Sequence, residues 1–81
     1  MERNEVLEKV TEIFKDILDN EKIELIEATT AQDVEEWDSL AHIHLVVAIE
    51  RGFKIRFTSR EIQTWEHVGE MIDCISNKLK F

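Results

Sequence analysis

The sequence has no proline, only two glycines and a single cysteine in 81 residues. Few turn formers argue against a sheet, which needs many tight reversals, and 43% hydrophobic with 35% charged residues suits an all-helical globular domain. The lone Cys74 excludes an internal disulfide, and with it any requirement for an oxidising compartment. Long apolar runs are also missing. The longest aliphatic run is Leu45-Val46-Val47-Ala48-Ile49, far short of a membrane span, so no membrane insertion is expected. The first residues, MERNEVLEK, are charged where a signal peptide would be apolar, which makes the cytoplasm the expected location. A chain this short makes one domain, residues 1–81, with a modest core. That suits a binding or carrier module, expected as a monomer, better than an enzyme with an enclosed site.

Positive charge is scarce as well. A formal net charge of −8 repels phosphate backbones and argues against nucleic acid as the partner. The distribution is uneven: residues 1–38 carry thirteen acids against four bases, whereas residues 39–60 carry Glu50 against Arg51, Lys54, Arg56 and Arg60. A locally basic segment therefore sits inside an acidic protein.

What is present is helical periodicity. Val6, Leu7, Val10, Ile13, Phe14, Ile17 and Leu18 recur at steps of one, three and four, which predicts an amphipathic first helix over residues 3–19. The pattern fails between Asn20 and Trp37, where a long loop is expected, pinned to the core by Ile26, Val34 and Trp37. A second helix is predicted from Ser39 to Arg51, with Asp38 as N-cap and Gly52 ending it. Its broad apolar face, Leu40, Ile43 and Val47 with Leu45 or Val46, places it near the middle of the bundle. FKIRF at 53–57 alternates like a strand but has nothing to pair with, so an extended link is expected, with Phe53, Ile55 and Phe57 turned inward. Thr58-Ser59-Arg60-Glu61 matches a capping box and predicts a short helix over 59–63. Thr64 then caps a last helix, with Trp65, Val68, Met71, Ile72, Ile75 and Leu79 as its stripe.

Catalytic chemistry finds little support in these residues. The acids of the first helix lie opposite its apolar stripe, as a solvated face does. His42 and His44 are two apart on a helix and diverge, so no metal site is expected. Cys74 reads as a structural thiol. Trp37 and Trp65 read as core or rim aromatics, or as walls of a pocket for an apolar guest. Ser39 stands apart. It is either an ordinary helix-start residue or the anchor of a phosphate ester, which would there face free backbone N–H groups and the positive end of the helix dipole.

Asp38-Ser39-Leu40, the apolar second helix ending in Ala48-Ile49-Glu50, Phe53 three residues later, the Phe-x-Ile-x-Phe link, Thr-Ser-x-Glu, and Val68-x-x-x-Ile72-x-x-Ile75 together resemble the acyl carrier proteins. The resemblance covers nearly the whole chain. It implies a four-helix bundle with a long first loop and a short third helix. It also implies that a phosphopantetheinyl transferase attaches 4′-phosphopantetheine from coenzyme A to Ser39, whose arm then carries acyl groups as thioesters. Asp38 would assist attachment by fixing the helix start and binding the transferase's metal or bases, and Leu40 would help dock partners. Val46, Val47, Ile49, Trp65 and Met71 become candidate walls of an acyl pocket. The chain itself would catalyse nothing.

One departure from the family's usual pattern concerns charge. Where many carriers present an acidic second helix to basic partners, this chain has Ala41, His42 and His44, then Arg51, Lys54 and Arg56, the candidate partner-binding residues. A dedicated pathway is expected rather than housekeeping fatty acid synthesis, served by an acyl- or aminoacyl-loading ligase and by acyltransferases or synthases. Two alternatives stay open at this point: an aminoacyl or peptidyl-type carrier loaded by an adenylating ligase, and a plain helical interaction module.

Overall fold

A computed structural model describes residues 2–79 as four helices: α1 (Arg3–Leu18), α2 (Ser39–Phe53), α3 (Ser59–Gln63) and α4 (Val68–Lys78). Among the described residues there is no strand, and the 53–57 link is extended with Phe53 buried and Ile55 and Phe57 half-buried. The core takes Val6, Val10 and Phe14 from α1, Leu45, Ile49 and Phe53 from α2, and Val68, Met71, Ile72 and Ile75 from α4. These recur at helical spacing, so each helix turns one stripe inward, and α1 packs against both α2 and α4.

The second helix differs from expectation in two ways. It buries Leu45, Val46, Ile49 and Phe53, while Leu40, Ile43 and Val47 stand 65%, 60% and 41% exposed. A helix apolar all round does not reveal from sequence which face turns inward. It also runs through Gly52 and ends one residue later at Phe53, after which Lys54 takes the left-handed conformation at φ 59° and its N–H bonds the Glu50 carbonyl. Gly52 instead serves packing, since a Cβ there would lie 3.1 Å from the Ile13 Cδ1 atom of α1. Continuing the helix is what buries Phe53.

In the long loop, Ile26 is 64% exposed, and Ile23 and Leu25 join Val34 and Trp37 in the core instead. Residues 23–26 lack helical hydrogen bonding and alternate inside and outside, as extended backbone must. The loop is then clamped onto the start of α4. Two of that helix's free N–H groups find loop carbonyls, Val68 N to Thr29 O at 2.9 Å and Gly69 N to Glu27 O at 2.7 Å. Gly69 is required by this approach, because a Cβ would meet the Glu27 carbonyl oxygen at 3.1 Å. Gly69→Ala sets a helix-propensity gain of about 1 kcal/mol against an overpacking cost of about 1–3 kcal/mol. A net loss of stability is expected, read as a lower urea midpoint with unchanged slope.

The capping box forms as expected, with Glu61 N–H donating to Thr58 Oγ1 at 3.1 Å and Thr58 N–H donating to Glu61 Oε1 at 2.8 Å. Glu61 also fastens α3 to α4, accepting from Cys74 Sγ at 3.1 Å and from Lys78 Nζ at 3.1 Å. The Thr58 backbone bond and the thiol hold the Glu61 carboxyl down at about 2, and burial with that carboxylate pushes Cys74 up to about 12. The thiol therefore stays protonated as a donor. Thr64 does not cap the last helix. Its N–H bonds Glu61 O as the last turn of α3, and α4 begins at Val68 behind His67. Trp65 consequently lies in the α3–α4 connection, off the helical stripe.

Candidate functional site at the start of the second helix

Ser39 is exposed at the first position of α2. Asp38 holds an extended conformation, and its Oδ1 accepts from Ala41 N at 2.8 Å, while its carbonyl accepts from His42 N at 2.8 Å. The helix start is thus fixed by one carboxylate. The N–H groups of Ser39 and Leu40, which precede the first full turn, have no helical acceptor of their own and face the positive end of the helix.

Beside Ser39 lies an open cleft of about 440 Å³, lined by Ala31, Trp37, Asp38, Ser39, His42, Ile62, Gln63, Trp65 and Glu66. Its inner wall is aromatic. Trp37 Nε1–H donates to His42 Nδ1 at 3.1 Å, and the two rings are nearly parallel, 15° apart. Trp65 meets His42 edge-on at 5.9 Å and Phe57 edge-on at 4.8 Å, while Trp37 meets buried Phe14 edge-on at 4.9 Å. Because Nδ1 accepts, the neutral imidazole keeps its proton on Nε2. Partial burial lowers the His42 pKa, and the nearby Ile62 backbone pulls the other way.

A lowered folded-state pKa means that the unfolded chain binds a proton first as pH falls. Stability is therefore full above the unfolded histidine value, about 6.5, and declines as pH drops below it toward the folded value. Asp38 and Glu66 line the same cleft. Thermal midpoints between pH 8 and 5 are expected to fall more steeply in the native chain than in His42→Gln. Parallel curves would show that His42 carries no such linkage.

The residues singled out from sequence separate into groups here. Asp38, Ser39, His42 and Trp65 come together at the cleft, with Leu40 exposed next to it and Ala41 half-buried. His44 is exposed, and so are Arg51, Lys54 and Arg56 at the far end of α2, roughly 20 Å along a helix of this length. Of the five candidate pocket residues, only Trp65 lines the cleft: Val46, Ile49 and Met71 lie in the packed interior, and Val47 is 41% exposed. Ala31, Ile62, Gln63 and Glu66 were not singled out. A loop residue, two from a short helix and one from a connection share no periodicity that would have linked them. Among the described residues, no group of His, Cys, Asp and Glu could hold a metal ion, and no helix is long and apolar enough to cross a membrane.

Comparisons with known proteins match most of the chain. The family described as "Phosphopantetheine attachment site" matches residues 8–75. An acyl carrier protein of Thermosynechococcus vestitus is 36% identical over 81 residues, 98% of each chain. The solution structure of a holo acyl carrier protein from Geobacter metallireducens is similar at a TM-score of 0.85 and 38% identity, covering 90% of this chain and 84% of the other.

Proposed function

We propose, from the premise that the chain belongs to the acyl carrier protein family, that Ser39 is its attachment point for the arm and that it serves a dedicated pathway. Members of the family are carriers rather than catalysts, and their cofactor is covalent 4′-phosphopantetheine. A transferase attaches it, and acyl-handling enzymes then load and unload it.

The observation that carries the Ser39 reading is the exposed hydroxyl at the first turn of α2, behind an Asp38 cap and beside a cleft. The residues fit the group. A phosphodiester on Ser39 Oγ would stand against the N–H groups of the first turn, and the indole-lined cleft offers apolar faces with a Gln63 and Glu66 rim to an arm whose two amides alternate with methylene segments. Bound there, the group supplies a thiol for thioester chemistry. The chain's own part is to present the hydroxyl, with Asp38 fixing the helix that carries it.

The dedicated-pathway reading rests on the surface of α2. Leu40 and Ile43 are 65% and 60% exposed, an apolar ridge near Ser39, with His44 beside it and Arg51, Lys54 and Arg56 beyond. Such a ridge suits a partner with an apolar socket and an acidic rim, in a fatty-acid, polyketide or other specialised route. Incubation with coenzyme A and a broad-specificity phosphopantetheinyl transferase is expected to add one phosphopantetheine by intact mass, and peptide mapping should place it on Ser39. A gain mapping elsewhere would overturn the assignment.

A further inference from the structure

We propose that His42, wedged between Trp37 and Trp65, closes the bundle behind Ser39, so that this carrier holds a compact acyl group in the outer cleft and keeps a long alkyl chain out of its interior. The inference rests on the reading of Ser39 as the attachment point and adds a cargo class to it.

Ser39 and both indoles line one cleft, so the serine opens onto an aromatic wall. That wall is continuous. Phe14 of α1, Trp37 of the long loop, His42 of α2, Trp65 of the α3–α4 connection and Phe57 of the α2–α3 link touch in sequence, ring to ring, with centroids 4.8–6.0 Å apart. A hydrogen bond fastens its centre. Trp37 Nε1–H donates to His42 Nδ1 at 3.1 Å, and Ile62 of α3 lines the cleft together with the imidazole. His42 therefore bridges the long loop and the α3–α4 connection, its ring held between Trp37 and Trp65.

An alkyl chain that the arm of Ser39 delivers into the bundle between α2 and α3 must part this bridge. It would leave the indole N–H of Trp37, a residue only 7% exposed, without its acceptor in a place that water reaches poorly. Behind the wall, Leu45, Ile49, Met71 and Ile72 are fully buried. Interiors are packed to crystal density, so each added methylene there would have to displace a side chain. The outer cleft needs no such rearrangement. At about 440 Å³ it falls in the lower part of the range for small-molecule sites, and aromatic faces with a polar rim suit a short acyl group near its thioester.

The test loads the native chain with butyryl-, octanoyl- and dodecanoyl-phosphopantetheine from the matching coenzyme A thioesters, with intact mass verifying each product. Trp37 and Trp65 are the only tryptophans, so emission and indole N–H resonances report the cleft directly. Methyl resonances of Leu45, Ile49, Met71 and Ile72 report the interior. Butyryl loading is expected to shift both indole signals, and the longer chains should leave the interior methyls and the thermal midpoint where butyryl leaves them. In His42→Ala, dodecanoyl loading should move the interior methyls and raise the midpoint by several degrees over the butyryl form. Interior shifts that grow with chain length in the native protein would overturn the proposal, as would indole signals blind to butyryl. A His42→Ala protein whose interior ignores the long chain would remove His42 as the barrier. The native series decides the cargo question even if that variant folds poorly, and failure of any mass gain would strike the Ser39 assignment instead.

Discussion

Ser39→Ala is expected to remove the entire phosphopantetheine mass gain while leaving the bundle intact. Ser39 is exposed and its hydroxyl does not supply the cap, which comes from Asp38 Oδ1 on Ala41 N at 2.8 Å. Alanine at a first helical position should change stability by less than about 0.5 kcal/mol. Function and fold are thus separable at this residue. Asp38→Ala should show the converse pattern. Loss of the cap costs about 0.5–2 kcal/mol, and with the hydroxyl retained the mass gain should still run to completion, slowed about tenfold, the equivalent of ~1.4 kcal/mol in the barrier. Asn caps a helix as well as Asp does, so Asp38→Asn should recover the stability. If its attachment rate recovers too, Asp38 acts only by fixing the helix; a rate that stays low assigns its charge to the transferase encounter. Denaturant midpoints and initial rates by mass spectrometry, measured on all three variants, separate these roles. A Ser39→Ala chain that still gains the group would refute the assignment outright.

How much of this site the sequence revealed follows from the range over which each signal acts. The Asp38 cap and the Thr58–Glu61 box are legible because donor and acceptor lie three residues apart, with geometry set by the helix start alone. The inward stripe of α1 is legible because its apolar residues occupy one side. The orientation of α2 was not, since Leu40, Ile43 and Val47 are as apolar as the residues it buries. Only the competition for a place against α1 decides which of them face water. Gly52 looked like a helix end and proved to be a packing position against Ile13, because a glycine needed for close approach reads the same as one needed for a left-handed turn. The Trp37–His42 pair was hidden for a different reason. Five residues separate them, a spacing with no helical meaning, and it is the extended backbone of Asp38 at φ −106° and ψ −174° that folds the indole back onto the imidazole.

Those exposed apolar residues and the basic end of α2 make one surface, and reversing its charge is the second change expected to have a large effect. Substituting Arg51, Lys54 and Arg56 together by glutamate makes an acidic protein still more acidic at the stretch where bases most outnumber acids. All three side chains are exposed, so the fold should bear the change. Arg51 in the last turn gives up a favourable dipole interaction of about 0.3–1 kcal/mol. Association with the cognate loading enzyme, followed by stopped flow at low salt, should slow by about 10- to 1,000-fold. Turnover at saturating carrier should change little, because charge at a rim steers the encounter more than it holds the complex. Raising ionic strength should narrow the gap, since exposed charges are screened beyond about 10 Å at 0.1 M. The matched control is Lys15, Lys22, Asn4 and Gln32 to glutamate, which alters net charge equally on residues outside α2. Equal slowing in the control would mean that total charge governs the encounter. Slowing confined to the α2 triple would mean that the partner carries an acidic surface, the reverse of the basic patches that greet acidic carriers, and would explain how a chain of net charge −8 recognises its own enzymes.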